Sequence, residues 1–244
     1  MTGRKYCVVL GASGGIGDAI SRTLAAAGWS LFLHYNTNAA HADLLQQQLS
    51  AAYPQSYFQK VQADFSEQDG AELLVQQVRT VCAVVVANGQ SMMKLLTETS
   101  PGDMDALWKV HVQNPAQFIS LVSPQLRKFE QSYVVVIGSI WGNTGAAGEV
   151  MYSAVKGAQH AFVKAYAKEA AFSGIRVNAV APGWIETRMN SDIPIDERQM
   201  VIDDIPLMKP GTPEHVAEAV NFLLNGKADY MTGEIMKVNG GWYI

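Results

Sequence analysis

The sequence is poor in cysteine, and its two cysteines lack the partners that would make them functional. Cys7 and Cys82 are the only cysteines in 244 residues, and both lie inside apolar runs. Structural zinc sites and disulfide frameworks require several Cys or His residues at regular spacing, and that spacing is missing here. We therefore predict two buried thiols, no disulfide and no metal site.

Long hydrophobic runs are also missing. The first ten residues, MTGRKYCVVL, contain an apolar run that is far too short for a secretory signal. No later stretch approaches the roughly 18 apolar residues of a membrane span. These absences predict a cytoplasmic protein that does not act on a membrane.

Charged residues are few and balanced in sign. They make up 16% of the chain, with 18 Lys plus Arg against 22 Asp plus Glu and a formal net charge of -4. The basic residues are scattered, whereas a surface for nucleic acid or anionic lipid needs them clustered. We therefore exclude a nucleic-acid partner and expect a small-molecule substrate.

The chain has the pattern of one α/β domain, because no linker or charge run divides residues 1–244. Nearly every residue of the β-rich runs is apolar, which is typical of strands covered by helices on both faces. We predict a doubly wound, three-layer Rossmann fold with a single seven-stranded parallel sheet. The rival, a closed (β/α)8 barrel, needs an eighth strand that the sequence does not show. The predicted strands are KYCVVL, LFLHY, YFQKVQA, CAVVVA, YVVVIG, IRVNAVA and IMKV.

A glycine-rich turn, LGASGGIGDAI, directly follows the first predicted strand. Gly11, Gly15 and Gly17 have the spacing G-x3-G-x-G, and a helix is expected to begin near Ile16. Glycine lets the backbone approach a pyrophosphate, whose charge is met by free N–H groups and the helix dipole. We predict that this turn, including Ser13, binds a dinucleotide, the alternative being a tight βα turn without a ligand.

The second predicted strand ends in LHYNTN, without an acidic residue. A carboxylate here would bind the ribose 2'-hydroxyl of NAD and would repel the 2'-phosphate of NADP. Tyr35, Asn36, Thr37 and Asn38 offer hydroxyl and amide groups that could bind the 2'-phosphate, which favours NADP(H) over NAD(H), although no arginine is present there. Asn38 equally fits a residue that caps the next helix.

The turn after the third predicted strand, QADFS, adds Asp64 and Phe65 to the predicted cofactor site. Asp64 is placed to accept a hydrogen bond from an adenine. It could instead cap the following helix, and the sequence leaves both interpretations open.

A serine and a Y-x3-K pair follow the fifth predicted strand in GSIWGNTGAAGEVMYSAVKG. Ser139 stands at the carboxyl end of that strand, and Tyr152 and Lys156 share one face of the next helix. The lysine charge should stabilise the phenolate and lower the phenol pKa, while the serine can hold a carbonyl oxygen. Taken alone, Y-x3-K is more often solvated helix surface, so the inference depends on the combination.

These motifs, with APGWIET and TGEIMKVNGG further on, strongly resemble the short-chain dehydrogenase/reductase family over essentially the whole chain. The resemblance implies that hydride passes from a reduced nicotinamide to a ketone while Tyr152 supplies the proton. It also implies that Ser139 and Lys156 are catalytic, with Lys156 binding the nicotinamide ribose. The residues that the resemblance sets against the nicotinamide are Pro182, Gly183, Ile185 and Thr187.

Two positions depart from the family pattern. After the fourth strand the family has N-N-A-G, but residues 86–89 are V-A-N-G. We keep Asn88 and Gly89 in the predicted cofactor site without giving Asn88 the usual strand-bracing role. The catalytic asparagine of the family is matched by His111, and Pro115 lacks the N–H that would bond the His111 carbonyl in a helix. We expect that carbonyl to be free for a water of the proton route, the alternative being an ordinary buried histidine.

Two further features bear on the substrate. Trp141 and Trp184 flank the predicted reacting centre and could line a pocket, although large aromatic residues are more often core. Residues 188–206 have the position of a lid, and their five acidic and two basic residues give a net charge of -3. Such a lid suits a cationic or neutral substrate, unless these charges only solvate a loop.

The overall pattern resembles the 3-oxoacyl-[acyl-carrier-protein] reductases, and several segments look closer to one bacterial subgroup. These segments are LHYNTN, GSIWG with GEVMYS, KGAQHAFVKAYAKE and VNGGWYI. The subgroup, the elongation factor P 5-aminopentanone reductases, reduces a ketone on a modified lysine of that factor. We therefore expect NADPH-dependent reduction of this ketone, with 3-oxoacyl-[acyl-carrier-protein] reduction as the alternative. A non-catalytic NADP(H)-binding sensor is the third possibility, although such proteins are expected to lose the tyrosine or lysine kept here.

The family resemblance also implies a homotetramer or homodimer. Ala154, Ala158, Ala161 and Ala165 recur on one side of the Tyr152 helix. Such small side chains would permit close helix packing between subunits.

Overall fold

A computed structural model describes residues 5–187 and 194–243, and in them seven parallel strands form one sheet. The strand order is β3-β2-β1-β4-β5-β6-β7. All seven predicted strands are present, and the predicted doubly wound α/β fold is confirmed. Because β3 and β7 are edges, the sheet is not a closed barrel. The strands are β1 Tyr6–Leu10, β2 Ser30–Tyr35, β3 Phe58–Gln62, β4 Val81–Val86, β5 Ser132–Ile137, β6 Ile175–Pro182 and β7 Ile235–Val238.

Helices cover both faces of the sheet, and a π-helical turn, Lys109–Gln113, joins two of them. The first helix begins at Gly15, one residue before the predicted start. The helices are α1 Gly15–Ala26, α2 Ala39–Ala52, α3 Gly70–Val75, α4 Pro101–Trp108, α5 Asn114–Leu126, α6 Trp141–Thr144, α7 Val150–Ala170, α8 Ile195–Asp204 and α9 Pro213–Leu224.

The two cores follow from the alternation of side chains along each strand. In β1, Cys7 and Val9 pack with α1, α2 and α9 on one face. Val8 and Leu10 pack with α3, α5 and α7 on the other face. Both faces are therefore apolar, as the nearly continuous hydrophobic strands predict.

The strand order creates the place where a ligand can bind. From β1 the chain moves outward to β2 and β3, then returns to β4 on the opposite side of β1. The connections after β1 and β4 therefore diverge to opposite faces and leave a crevice beyond the carboxyl ends of the two strands. The predicted glycine turn lies at this switch point.

The two cysteines are free and buried, which confirms the predicted buried thiols. No helix in the described part of the chain combines the length and the hydropathy needed to cross a bilayer. On α7, Ala154, Ala161 and Ala165 are exposed in the single chain, and the oligomeric state stays a prediction.

The predicted lid is described only in part. Residues 188–193, which include Arg188 and Asp192, lie outside the described residues. Beyond them the chain forms α8, a helix that the sequence pattern did not predict. Its acidic residues outnumber its single arginine, Arg198, which pairs with Glu186.

Candidate active site

A cleft of about 280 Å³ opens at the switch point, beyond the carboxyl ends of β1 and β4. Its lining combines the backbone of the glycine turn with polar side chains from the turns after β2, β3 and β4. The predicted cofactor residues that line it are Gly11, Ser13, Asn36, Thr37, Asp64, Phe65, Asn88 and Gly89.

The glycine turn has no room for side chains at two of its predicted positions. Gly11 has φ +75°, and a Cβ there would lie 2.6 Å from Asn88 Cα. A Cβ at Gly17 would overlap the Gly11 carbonyl oxygen. The turn therefore brings the backbone against the cleft, where the first N–H groups of α1, including those of Gly15 and Ile16, have no helical partner. Such a helix start attracts an anion.

The residues predicted to meet the nicotinamide lie at the end of β6, beside the same turn. Pro182 is the last residue of β6, and Gly183 N donates to the Val238 carbonyl. Ile185 is buried. The Thr187 methyl group lies 3.3 Å from the position that a Cβ on Gly15 would take. The structure thus brings the two distant halves of the predicted cofactor site together.

Asp64 stabilises its own turn. Its carboxylate accepts hydrogen bonds from Ser66 N at 2.8 Å and Ser66 Oγ at 2.6 Å. Burial raises the pKa of Asp64, but these bonds and one from Asn36 lower it below its ordinary value. Because α3 begins only at Gly70, the helix-capping interpretation of Asp64 is wrong. The contact with adenine stays a prediction.

At the end of β2, the capping interpretation of Asn38 is confirmed. Asn38 precedes α2 and accepts a hydrogen bond from His41 N at 3.3 Å. Thr37 lines the cleft, whereas Tyr35 does not belong to that lining and its ring lies 6.0 Å from Lys60 Nζ. Of the residues predicted to contact a 2'-phosphate, Asn36, Thr37 and Asn38 therefore line the cleft and Tyr35 does not.

Ser139, Tyr152 and Lys156 meet beside the carboxyl end of β5. Ser139 follows that strand and is hydrogen-bonded to the Tyr152 hydroxyl. Lys156 is 4% exposed, and its Nζ lies 5.6 Å from the centre of the Tyr152 ring. Nζ also donates to the Ile137 carbonyl at 3.0 Å. The structure thus assembles the predicted catalytic group.

The predicted lowering of the tyrosine pKa is wrong in this structure. Burial and the nearby Glu149 carboxylate raise the pKa of Tyr152 well above its ordinary value, against a smaller opposing effect of the Ser139 hydrogen bond. Burial lowers the pKa of Lys156 to about 7. Desolvation therefore outweighs the attraction between the two groups. At neutral pH the phenol holds its proton, and the lysine exists partly as ammonium and partly as amine.

The His111 side chain supports the loop after β4. Its Nε2 lies 3.0 Å from the Gln90 carbonyl oxygen, and its ring meets the Tyr152 ring edge-on at 5.7 Å. A Cβ on Gly89 would lie 2.6 Å from His111 Cε1. Burial and the charge of Lys156 lower the pKa of His111 to about 3, so its ring is neutral.

The expectation of a free His111 carbonyl is wrong. The residue lies in the π-helical turn, where Pro115 supplies no N–H, but Gln159 Nε2 donates to the carbonyl at 2.7 Å. Gln159 is buried on α7, three residues after Lys156. A buried carbonyl needs a partner, and a side chain from another helix provides it. The sequence signal for this contact was a glutamine on the apolar side of the Tyr152 helix.

Asn88 also ties the loop after β4 to the π-helical turn. Its Nδ2 donates to the Val110 carbonyl at 2.7 Å. The bond joins a loop to a helix and braces no neighbouring strand, which agrees with leaving the strand-bracing role unassigned. Asn88 and His111 together hold Gly89 in place at the edge of the cleft.

Trp141 and Trp184 belong to a small aromatic cluster near the catalytic group. Both pack against Ile140, Ile205 and Trp242. The Trp141 ring lies 5.1 Å from the Trp242 ring, and its indole donates to Glu149. Both tryptophans are only partly buried at the margin of this cluster, and a role in lining a substrate pocket stays a prediction.

The chain is similar to known proteins along nearly its whole length. Residues 11–243 match the family described as enoyl-(acyl carrier protein) reductase. An uncharacterized oxidoreductase, YmfI of Bacillus subtilis (strain 168), is 43% identical over 240 residues, covering 98% of this chain and 99% of that protein. The 3-oxoacyl-[acyl-carrier-protein] reductase FabG of Escherichia coli (strain K12) is 31% identical over 252 residues, covering 98% of each chain.

Two solved structures share the fold closely. A blue fluorescent protein from a metagenomic library, in complex with NADPH, has a TM-score of 0.90 at 27% identity and covers 98% of each chain. A short-chain dehydrogenase/reductase from Brucella melitensis has a TM-score of 0.90 at 29% identity, covering 98% of this chain and 97% of that one.

The contact between Gly17 and the Gly11 carbonyl gives a first prediction. Gly17→Ala should abolish NADPH binding, measured by fluorescence titration, because the added methyl group forces the start of α1 away from β1. The control is Gly102→Ala in α4, where a Cβ would lie 3.8 Å from Ser100 Oγ and should leave binding unchanged. Unaltered NADPH affinity in the Gly17 variant would contradict the assignment of this turn.

The Gln159 contact gives a second prediction. Gln159→Leu should lower the free energy of unfolding by about 1–3 kcal/mol, because the buried His111 carbonyl loses its side-chain donor. Denaturant titration measures this change. The matched control is Gln113→Leu, which replaces a partly exposed glutamine of the π-helical turn. It should lower the free energy of unfolding much less. Equal losses of unfolding free energy in both variants would show that the hydrogen bond to the His111 carbonyl does not cause the destabilisation.

Proposed function

The chain belongs to the short-chain dehydrogenase/reductase family of oxidoreductases, and we propose that it reduces a ketone to a secondary alcohol with NADPH. The observation that carries the proposal is the cluster of Ser139, Tyr152 and Lys156 beside the cleft. A phenol that is hydrogen-bonded to a hydroxyl and has an ammonium near its ring can hold a carbonyl oxygen and protonate it.

The residues around the cleft fit a dinucleotide phosphate. The close approach of Gly11 and Gly17 leaves backbone N–H groups for a diphosphate, and no acidic residue ends β2 to repel a 2'-phosphate. NADPH would supply the hydride that adds to the carbonyl carbon. The blue fluorescent protein of the same fold was solved with NADPH, which supports the choice of cofactor.

Each residue of the cluster has a distinct part in the reduction. Ser139 Oγ donates to the carbonyl oxygen and orients it towards the phenol. The raised pKa of Tyr152 keeps the phenol protonated at neutral pH, as a proton donor requires. When that proton passes to the oxygen, the Lys156 ammonium and the Ser139 hydroxyl stabilise the phenolate that remains. The phenolate then regains a proton from solvent.

Replacement of the phenol provides the test. Tyr152→Phe should lower the rate of NADPH oxidation by about 10²-fold or more, because the proton donor is removed, and should leave the Kd for NADPH within about twofold. Tyr166→Phe, on the same helix but hydrogen-bonded to Ser123, is the control and should retain full activity. A Tyr152→Phe enzyme within tenfold of the unaltered rate would contradict the proposed mechanism.

We propose further that the ketone carries a cationic amine, as the 5-aminopentanone group on modified elongation factor P does. The supporting observation is Glu149, a partly buried carboxylate whose charge reaches the Tyr152 hydroxyl. Among the described residues no lysine or arginine forms an ion pair with it. Burial raises the pKa of Glu149, so an ammonium group in this place would relieve the cost of its charge.

The acidity of α8 supports the same substrate class. Its four acidic residues, Asp196, Glu197, Asp203 and Asp204, are opposed by one arginine. A negative surface favours a cationic ligand and disfavours the acidic acyl carrier protein. Reduction of 3-oxoacyl groups nevertheless remains the second candidate, because the FabG protein of Escherichia coli is 31% identical to this chain.

Ketones that differ in charge test the role of Glu149. Glu149→Gln should lower kcat/KM for 5-(trimethylammonio)pentan-2-one, a cationic ketone that cannot cyclise to an imine, about tenfold, since an attraction of about 1.4 kcal/mol is removed, and should spare uncharged pentan-2-one. Glu169→Gln, an exposed glutamate of the same helix, is the control. A similar loss for both ketones would show that Glu149 does not recognise the amine.

Protein-borne ketones separate the candidates. Aminopentanone-modified elongation factor P should be reduced much faster than acetoacetyl-[acyl-carrier-protein] if the substrate is cationic. The reverse preference would favour the 3-oxoacyl reductase. Tight NADPH binding without turnover of either would support the non-catalytic sensor and contradict the proposal.

A further inference from the structure

His34 is a buried polar residue in a strand that is mostly apolar. It stands in β2, SLFLHY, and is 2% exposed. An imidazole in such surroundings is costly unless both ring nitrogens are hydrogen-bonded. Nothing in the reduction described above uses this side chain, so its retention in the core calls for another explanation.

Both ring nitrogens of His34 bind backbone, and the partners determine the tautomer. Nδ1 accepts from Gly11 N at 3.0 Å, and Nε2 lies 3.0 Å from the Ala63 carbonyl oxygen. A carbonyl can only accept, so Nε2 carries the hydrogen and Nδ1 presents its lone pair to Gly11. Burial lowers the pKa of His34 to about 4, against smaller opposing effects of the Ala63 bond and the Asp64 charge, and this keeps the ring neutral.

One end of this bridge holds the glycine turn. The His34 ring binds Gly11 N, and the His34 carbonyl accepts from Ala12 N at 2.8 Å. Two successive N–H groups of the turn therefore depend on one residue of β2. Because a Cβ on Gly17 would overlap the Gly11 carbonyl, any shift of Gly11 moves the start of α1 with it.

The other end of the bridge holds the turn after β3. Ala63, whose carbonyl accepts from His34, directly precedes Asp64 and Phe65, which line the cleft. The Phe65 ring lies 5.0 Å from the His34 ring. His34 itself is part of the cleft lining. One imidazole thus sets the distance between the turn proposed for the diphosphate and the residues proposed for the adenine.

We propose that His34 is a positioning residue for the cofactor, which fixes the glycine turn relative to the Asp64–Phe65 turn and thereby determines affinity for the adenosine half of NADPH. The proposal rests on the proposed function, since it takes NADPH as the ligand of the cleft. The inference goes beyond the proposed function because it assigns a role to His34, which makes only backbone hydrogen bonds and touches neither the ketone nor the catalytic group.

The test compares variants that keep or remove the two bonds. His34→Leu removes both hydrogen bonds while keeping a side chain of similar volume. His34→Gln retains one hydrogen-bond acceptor and one donor. Calorimetry should show that His34→Leu binds NADPH and adenosine 2',5'-bisphosphate about tenfold or more weakly. Its affinity for reduced nicotinamide mononucleotide and its kcat at saturating NADPH should stay within about twofold. His34→Gln should recover most of the lost affinity.

Asn178 provides a control for a merely structural role. It is buried in β6 and likewise bridges two backbone groups, the Met231 carbonyl and Glu234 N, each at 3.0 Å, but outside the cleft lining. Asn178→Leu should lower the melting temperature and leave the affinity of the folded protein for adenosine 2',5'-bisphosphate unchanged. If it weakens that affinity as much as His34→Leu does, the proposal is overturned.

Two further outcomes keep the inference distinct from the proposed function. If His34→Leu does not fold, His34→Asn, whose shorter amide reaches only one of the two partners, should still show a selective loss for the adenosine fragment. Unchanged fragment affinity in that variant overturns the role of His34 alone. Failure of the unaltered protein to bind NADPH overturns the proposed function itself.

Discussion

The start of α1 rests directly on the end of β1, because the Gly11 carbonyl occupies the space that any side chain at Gly17 would need. This contact fixes the N–H groups of the helix start at the mouth of the switch-point crevice. The surrounding elements depend on it. Asn88 packs on Gly11 from the end of β4, and Thr187 reaches Gly15 from beyond β6. If α1 lay farther from β1, the two halves of the proposed cofactor site would be separated.

Desolvation governs the electrostatics of the catalytic group. Tyr152 and Lys156 have pKa shifts in opposite directions. The raised pKa of Tyr152 disfavours the phenolate, and the lowered pKa of Lys156 disfavours the ammonium. Burial thus keeps the phenol of Tyr152 protonated and brings Lys156 close to its titration midpoint at neutral pH. The phenol therefore begins the reduction with its proton, although its raised pKa makes it a weaker acid than a solvated phenol. The Glu149 carboxylate adds to the effect, so the same residue proposed to recognise the substrate amine also raises the pKa of the donor.

Buried and partly buried polar side chains hold the loops of the site in place through hydrogen bonds with backbone groups. Gln159 binds the His111 carbonyl, Asn88 binds the Val110 carbonyl, and His34 bridges Gly11 to Ala63. Each contact satisfies a backbone group that the regular structure leaves unpaired at a π-helical turn or a strand end. Rigid loops are expected where a ligand must be bound in one orientation, so these contacts support the proposed function from outside the catalytic group.

The sequence alone determined the seven strands, the glycine turn and the shared helix face of Tyr152 and Lys156. These features depend on hydrophobic periodicity and short spacing, which neighbouring residues decide locally. Only the tertiary structure decided that Gln159 binds the carbonyl of His111 and that burial raises the tyrosine pKa. The partners of His34 likewise come from the ends of β1 and β3. Such contacts join residues up to 48 positions apart, and burial depends on every element around a group, so no local pattern could reveal them.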